Sequence, residues 1–488
     1  PEFESLKEDL ETEVAVVGGG ITGITAAYLL AQEGVEVTLL EADRLLNGVT
    51  GHTTAKVTAQ HELIYDELIR HMGRSKAKLY YEANSEAIEF IRNQVKEENI
   101  DCDFSDQDAF VYATTEKSMS KLMKEWDAYK KLGIAGDVVD DVPFTKVKKA
   151  LIMKNQAQFH PVRYLAHMLR VLKDKGVRIY EKTQAVNVDH GEKPTVQTIG
   201  GQRVTAKHIL SCSHYPFYDG LGFYYTRMYA SRSYIVAVKS NKPFEGGMYI
   251  SADNPVRSLR AANMDGEELI LIGGESHKTG QGEDTLLHYE ALESFGRQVF
   301  GDIEVKYRWS AQDLETLDKV PYIGRITSGE SSIFVATGYK KWGMTSGTVA
   351  AMLLRDHVLG RKNRYSQLFS PSRFYADPSL KQFLIQNADV AKHLIRGKFE
   401  MPVKDPETLE KDEGQILVYR GQRAGAYKDT DGKLHILDTT CTHMGCEVEW
   451  NHGDRTWDCP CHGSRYSYKG EVIEGPAEKP LEYLNEMP

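Results

Sequence analysis

Glu13-Val14-Ala15-Val16-Val17-Gly18-Gly19-Gly20-Ile21-Thr22-Gly23 opens a segment that decides the fold of the longer part of the chain. A short apolar run meets a glycine break. An apolar, helix-forming run follows over Ile21 to Gln32, then a β-rich run over Val35 to Leu40. This is a βαβ unit, the usual start of a mostly parallel sheet. Gly18, Gly20 and Gly23 fit G-x-G-x-x-G between strand and helix. Gly18 allows the tight turn, Gly20 lets the backbone approach a pyrophosphate, and Gly23 permits close helix–strand packing. The helix start at Ile21 and Thr22 supplies N–H groups and a partial positive charge for phosphates. Glu41 ends the second strand, where a carboxylate can bind ribose hydroxyls. The fingerprint points to a dinucleotide without choosing between NAD and FAD. The competing reading is a tight turn with no ligand.

Working outward, the chain of 488 residues is long enough for two or more domains. Its formal net charge of -10 argues against nucleic acid or an anionic membrane surface as the main partner. No apolar run is long enough to span a bilayer. The stretch Pro1 to Thr12 is acidic and lacks the features of a secretory signal, so a cytoplasmic location is expected. Glu62 to Glu98 reads as helical. Strands are expected near Phe110 to Ala113, Val177 to Tyr180, Ala185 to Val188, Ser233 to Val238, Gly247 to Ile250, Leu269 to Gly273 and Ile333 to Ala336. Helices are expected over Tyr164 to Lys175 and Thr345 to Val358. Residues 361–412 read as a surface linker holding one amphipathic helix, Leu380 to Arg396. Short strands with turn signals fill the rest.

Further segments decide the cofactor. Gly48-Val49-Thr50-Gly51-His52-Thr53-Thr54-Ala55-Lys56 resembles the loop after the second strand in the D-amino-acid-oxidase family of flavoproteins. Asp318-Lys319-Val320-Pro321-Tyr322-Ile323-Gly324 resembles that family's D-x-x-P-x-I-G segment. Gly338-Tyr339, with Trp342-Gly343-Met344 and Gly347, resembles its closing flavin motif. No second G-x-G-x-x-G is present. The resemblance implies FAD and an α/β (α+β) fold of the glutathione-reductase type over residues 1–360. Its FAD-binding segments would be about 10–60, 160–215 and 310–360, with an antiparallel-sheet substrate domain inserted between them. It also implies cofactor contacts at Thr53, Thr54, Val186, Gly338, Trp342, Gly343 and Met344. In some relatives a histidine in the loop after the second strand carries the flavin covalently. His52 sits at a similar place, and its plainer reading is a polar loop histidine or a donor to the FAD phosphates.

The substrate chamber is less legible. Tyr215, Phe217, Tyr218, Phe223, Tyr224, Tyr225 and Tyr229 crowd one stretch. They would either cage a substituted ammonium by cation–π contacts or simply pack a core. A carboxylate-binding arginine is often found in this domain of the family, and Arg227, Arg232, Arg257 and Arg260 are the candidates.

Near the end, Cys441-Thr442-His443-Met444-Gly445-Cys446 precedes Cys459-Pro460-Cys461-His462-Gly463-Ser464. The C-x-H and C-x-x-H pairs match a Rieske centre, in which two thiolates hold one iron and two imidazoles the other. The spacing weighs against a zinc site or a set of disulfides. The resemblance to Rieske proteins implies a small all-β domain over 413–488 with Cys441, His443, Cys459 and His462 as ligands. In those of the cytochrome bc type, the remaining cysteines, here Cys446 and Cys461, form a disulfide. Ser464 and Tyr466 match hydroxyls that hydrogen-bond to the cluster, which implies a potential toward the upper part of the Rieske range. Rieske-type dioxygenases differ in lacking the extra cysteine pair, and the iron site they carry is not recognisable here.

Together these readings imply a dehydrogenase. An amine or amino-acid-like small molecule would reduce the flavin, and the cluster would pass single electrons to an external one-electron carrier. The competing expectations are a monooxygenase or reductase fed with electrons through the cluster, and a non-enzymatic electron-transfer or redox-sensing module.

Overall fold

A computed structural model describes residues 2–264, 266–282, 284–399 and 406–485. Leu10–Val17 and Val37–Leu40 pair in parallel, with the helix Ile21–Gln32 between them, as the βαβ reading requires. Arg203–Ser211 joins on the other side and Ile333–Thr337 follows it, both in parallel, and Tyr322–Arg325 closes that edge antiparallel. Among the described residues this sheet has eight strands. Val14, Val16, Leu39, Ile209 and Val335 are all fully buried, so both faces of the sheet are covered. That burial explains why its strands read as near-continuous apolar runs.

Between these segments the chain builds a second, nine-stranded sheet, counted again among the described residues. Its long strands are Met228–Ser240, Glu267–Lys278 and Ile303–Thr316. Met228–Ser240 pairs antiparallel with both of the others. Directly opposed residues of such a pair point to the same face. Tyr229, Ser231 and Ser233 therefore share one face with Glu315, Asp313 and Ala311, while Ala230 and Arg232 share the other with Leu314 and Gln312. This alternation sets up the functional geometry below.

The expected linker is only partly one. Ser366–Phe369 is helical, and Leu368 and Phe369 lie in the core of the flavin domain. The Arg373 side chain is buried, and its guanidinium grips Asp318 through Nε–Oδ2 at 2.7 Å and Nη2–Oδ1 at 2.8 Å. Asp318 belongs to the D-x-x-P-x-I-G segment, so the first part of the linker is pinned to it. The helix Lys381–Phe399 packs Val390 and Leu394 against the cysteine-rich domain. Residues 400–405 of the expected linker and residues 486–488 of the expected last domain lie outside the described residues. That domain is all β, with an antiparallel sheet over Glu413–Tyr419, Gln422–Lys428 and Leu434–Asp438. A second sheet over Glu449–Asn451, Thr456–Asp458, Arg465–Ser467 and Val472–Glu474 completes it.

Candidate functional sites

The glycine turn carries the features a dinucleotide needs. Gly18 has φ +108°, and a Cβ there would lie 2.5 Å from the carbonyl oxygen of Cys212. A Cβ on Gly23 would lie 1.9 Å from the oxygen of Gly18, so helix and strand touch only because both residues are glycine. The helix Ile21–Gln32 has no side-chain cap from its own N-cap and no acid in its first turn. Its first amide, Ile21 N, donates to the Thr50 hydroxyl at 3.2 Å, and the turn is otherwise uncapped, as suits an anion at a helix start. Glu41 accepts from the amides of Gly19 at 2.7 Å and Asp43 at 3.0 Å. Burial raises its pKa against those amides.

At the closing motif, Thr22 and Tyr339 share a hydrogen bond of 3.0 Å that ties the two glycine-rich segments together. Trp342 Nε1 and Ser346 Oγ are buried without a partner at the start of the helix Gly343–Val358. Orphaned buried donors of this kind call for a bound group. His61 stacks on Trp342 with ring centroids 4.7 Å apart, and burial holds it neutral with a pKa of about 3. Lys340 donates to Glu62 at 2.6 Å. Burial alone would raise the Glu62 carboxyl, but Lys340 and Lys341 outweigh it and hold it at about 2. Thr53 accepts from Ala55 N at 3.0 Å, and Val186 lies half-buried in the strand Ala185–Asp189. His52 is exposed, with Nδ1 2.9 Å from Gly48 O in its own turn. These residues fit FAD.

The candidate arginines separate cleanly. Arg232 is fully buried, on the sheet face turned away from Asp313 and Glu315. It pairs with Glu474 at 2.8 Å, Asp458 at 3.7 Å and Asp454 at 3.8 Å, all from the last domain. Those carboxylates leave it none of its charge for a substrate, which corrects the expectation placed on it. Arg227 is likewise committed: it donates to the carbonyls of Gly222 and Pro371 and stacks over Tyr322, 4.4 Å from the ring centroid. Arg257 pairs with Glu275 at 2.5 Å. Arg260 remains. It is buried, donates to the backbone oxygens of Thr54 and Ala261, and forms no ion pair among the described residues.

Lys56, which the sequence does not single out, is also buried. It donates to Tyr249 O at 2.7 Å and Ser258 Oγ at 2.6 Å, again with no ion pair among the described residues. Burial, with Arg260 nearby, pulls Lys56 down to about 7. Burial brings Arg260 to about 10. The available signal for Lys56 was a lysine inside the apolar β-run Ala55 to Ala59. Of the aromatic stretch, Tyr224 packs edge-on against Tyr322, while Tyr215, Phe217 and Tyr218 flank the core, so most of it is packing.

In the last domain two loops meet. Cys446 and Cys461 form a disulfide between them. Cys441 and Cys459 are free and buried, with their thiols in contact. The Cys459 thiol and the Tyr466 hydroxyl, 3.2 Å from Cys441 Sγ, hold Cys441 below the ordinary thiol range. The rings of His443 and His462 are 5.0 Å apart at 89°. Both Nδ1 atoms are buried and have no hydrogen-bond partner. Burial lowers the pKa of both imidazoles, that of His462 to about 4. Two thiols and two imidazole nitrogens without a hydrogen-bond partner fit the donor set that a Rieske cluster needs. Ser464 Oγ accepts from Ala477 N at 3.0 Å and is fully buried.

Two family models account for these sites. Residues 13–357 match that of the FAD dependent oxidoreductases, and residues 393–485 match the Rieske [2Fe-2S] domain. The chain belongs to the FAD dependent oxidoreductase family and carries a Rieske domain at its end. It is an oxidoreductase enzyme whose cofactors are FAD and a Rieske [2Fe-2S] cluster. Among individual proteins, it is 51% identical over 486 residues to YhfW of Bacillus subtilis (strain 168), which is named as a Rieske 2Fe-2S iron–sulfur protein. That match covers 99% of this chain and 96% of YhfW. It is 26% identical to the gamma-glutamylputrescine oxidoreductase of Escherichia coli (strain K12), over 74% of this chain and 87% of that one. Glycine oxidase from Geobacillus kaustophilus has the same fold over 75% of this chain and 99% of its own, with TM-score 0.63 at 19% identity. Among the described residues, no helix is long and apolar enough to cross a membrane.

Proposed function

We propose that the protein is a dehydrogenase that oxidises an amine or amino-acid-like small molecule and delivers the electrons, one at a time, through the Rieske cluster to an external carrier. One observation carries the reading. The histidine side of the cluster site faces the flavin domain of the same chain: the Tyr225 ring stands edge-on to His462 at 5.7 Å and to His443 at 6.2 Å. The histidines proposed as ligands thus stand against this chain's own oxidoreductase domain. Bound FAD supplies a two-electron acceptor and the cluster a one-electron carrier.

The residues around them do the rest. Cys441 and Cys459 would hold one iron and the Nδ1 atoms of His443 and His462 the other, with Ser464 and Tyr466 donating toward the sulfur side. Ile21, Thr22 and the glycine turn would seat the diphosphate of FAD, and Glu41 its ribose. Lys56 and Arg260, two buried cations with no ion pair among the described residues, suit an anionic group on the substrate. An anion there would keep Lys56 protonated at neutral pH. Buried Asp313, pushed to about 7 by burial and hydrogen-bonded only weakly to Ser233 at 3.4 Å, lies on the sheet face turned from the cluster domain and suits the amine end. The relative that acts on a glutamylated diamine lends the amine class further support.

Anaerobic mixing of the holoenzyme with N-methylated amines, primary amines and amino acids tests the reading. Bleaching of the flavin by at least one class, followed by reduction of the cluster, is expected. Flavin that bleaches and stays reduced while the cluster remains oxidised refutes the relay.

A further inference from the structure

Arg232 has no role in the flavin site, yet it is the most completely buried charge between the two domains, with a side-chain exposure of 0%. It projects from Met228–Ser240 into the last domain. There it meets Glu474 of one strand, Asp458 of another and Asp454 of the turn between Glu449–Asn451 and Thr456–Asp458. Neighbouring contacts on the same face converge on the same loops. Ser310 Oγ accepts from Arg232 at 2.7 Å and in turn donates to Asp454, and Tyr289 donates to Asp454 at 2.8 Å. Gln312 Nε2 donates to Gly463 O, next to His462, at 2.9 Å. Gln281 donates to Pro460 O, next to Cys459, at 3.1 Å. The backbones also touch. A Cβ on Gly280 would lie 2.6 Å from Pro460 N, and one on Gly463 would lie 2.3 Å from the Cβ of Ala230. A small cavity of about 10 Å³ lies beside Tyr225, Tyr229 and Cys461, room for about one water.

We propose that Arg232 is the positioning residue that locks the Rieske domain in one docked position, with the cluster's histidines held against Tyr225, and that electrons pass between flavin and cluster through this fixed contact. The proposal rests on the relay reading above and adds where the transfer occurs and what holds it there. Substrate oxidation releases two electrons and the cluster accepts one. The electrons therefore cross in two successive single transfers, each followed by departure of one electron to the external one-electron carrier, while the protons leave to solvent. A cluster carried on a loosely tethered domain would transfer only in the fraction of time it is docked. A locked one transfers at every turnover. Arg232 answers to carboxylates from separate strands of the second sheet, so its loss frees the whole edge of the domain and not one loop.

The holoprotein, loaded with FAD and cluster, tests this without a known substrate. A laser flash in the presence of EDTA reduces the bound flavin anaerobically, and cluster reduction is followed by its absorbance and by electron paramagnetic resonance of samples frozen after the flash. The wild type is expected to transfer in one phase that solvent viscosity does not alter. Arg232→Met, with cluster content and resonance spectrum unchanged, is expected to transfer at least about tenfold more slowly, because the docked population falls. Its rate should also become viscosity-dependent, and Arg232→Lys should recover part of the loss. An Arg232→Met protein that keeps its cluster and transfers at the wild-type rate overturns the proposal. Should that variant fail to hold its cluster, Glu474→Gln decides. It removes the shortest of the ion pairs, and a viscosity-dependent slowing supports the lock while an unchanged rate overturns it. Absence of any flavin-to-cluster transfer in the wild type is a different result: it brings down the relay reading itself.

Discussion

Replacing Arg373 with alanine strikes the pin between the linker and the flavin domain. The pair it forms with Asp318 is almost wholly buried, at 4% and 3% side-chain exposure. Arg373 also donates to the carbonyls of Pro321 at 2.8 Å and Phe369 at 3.1 Å, and to Val320. Removing one partner of a buried pair leaves the other charged and desolvated, at a cost of about 3–5 kcal/mol. That corresponds to a factor of roughly 150 to 5,000 in the unfolding equilibrium of the flavin domain. The pH dependence carries the sharper test. Burial alone would raise the Asp318 carboxyl, but Arg373 outweighs it and holds it below the ordinary range. In the wild type this contribution is fully present above the unfolded pKa, about 3.9, and fades only as pH falls through the depressed folded value. In Arg373→Ala burial acts unopposed, the carboxyl rises, and acid relieves the penalty by protonating it. Urea unfolding followed by release of FAD fluorescence, at pH 7 and at pH 5, should therefore show a large deficit at the first and a smaller one at the second. Adding Asp318→Asn should restore part of the loss at pH 7. A deficit below about 1 kcal/mol at pH 7, or one that does not shrink in acid, refutes the assignment of a buried pair.

Other perturbations follow the same logic. A small carboxylate such as acetate, titrated into the oxidised holoenzyme and read from the flavin spectrum, should bind more weakly as pH rises through about 7, where Lys56 loses its proton, and the dependence should vanish in Lys56→Met. Tyr466→Phe removes a donor 3.2 Å from Cys441, and a lost hydrogen bond to a charged group is worth about 1.5–3 kcal/mol. For one electron that lowers the cluster potential by on the order of 60–130 mV, which an optical redox titration will read. Cys446→Ser breaks the tie between the cluster loops and should destabilise the last domain by about 2–5 kcal/mol, visible as earlier loss of cluster colour on heating.

The sites that were legible are those whose residues lie close together in sequence. The glycine fingerprint needs one turn and one helix start. The cluster motif needs two short loops, each holding two proposed ligands, so no distant partner has to be guessed. The disulfide agrees with what the Rieske resemblance implied, and Tyr466 stands 3.2 Å from Cys441 Sγ. The inserted sheet was legible only as scattered strands, and Lys149–Gln158 and Ile303–Thr316 were not anticipated. The helix Glu116–Leu132 was not anticipated either, although Thr115 caps it and Gly133 ends it in the left-handed region. Its buried Glu125, which accepts from the amides of Tyr65 and Asp66, interrupts the apolar face that would have marked it. Arg232 and Arg373 show the harder limit. Each is decided by a carboxylate far away in the chain, and an isolated arginine carries no sign of which acid it will meet.

The placement of Arg232 also bears on synthesis. Every carboxylate it pairs with lies beyond residue 450, while the strand that carries it ends at Ser240. On the ribosome the flavin domain emerges with this face of its sheet presenting a cation that has no counter-charge. That face becomes a finished interior only when the last stretch of chain arrives. A stop codon placed after residue 375, which spares Leu368, Phe369 and Arg373, would thus leave more than a missing appendage: it would leave an open, charged seam along an otherwise complete sheet. The flavin half should be prone to aggregation when expressed alone.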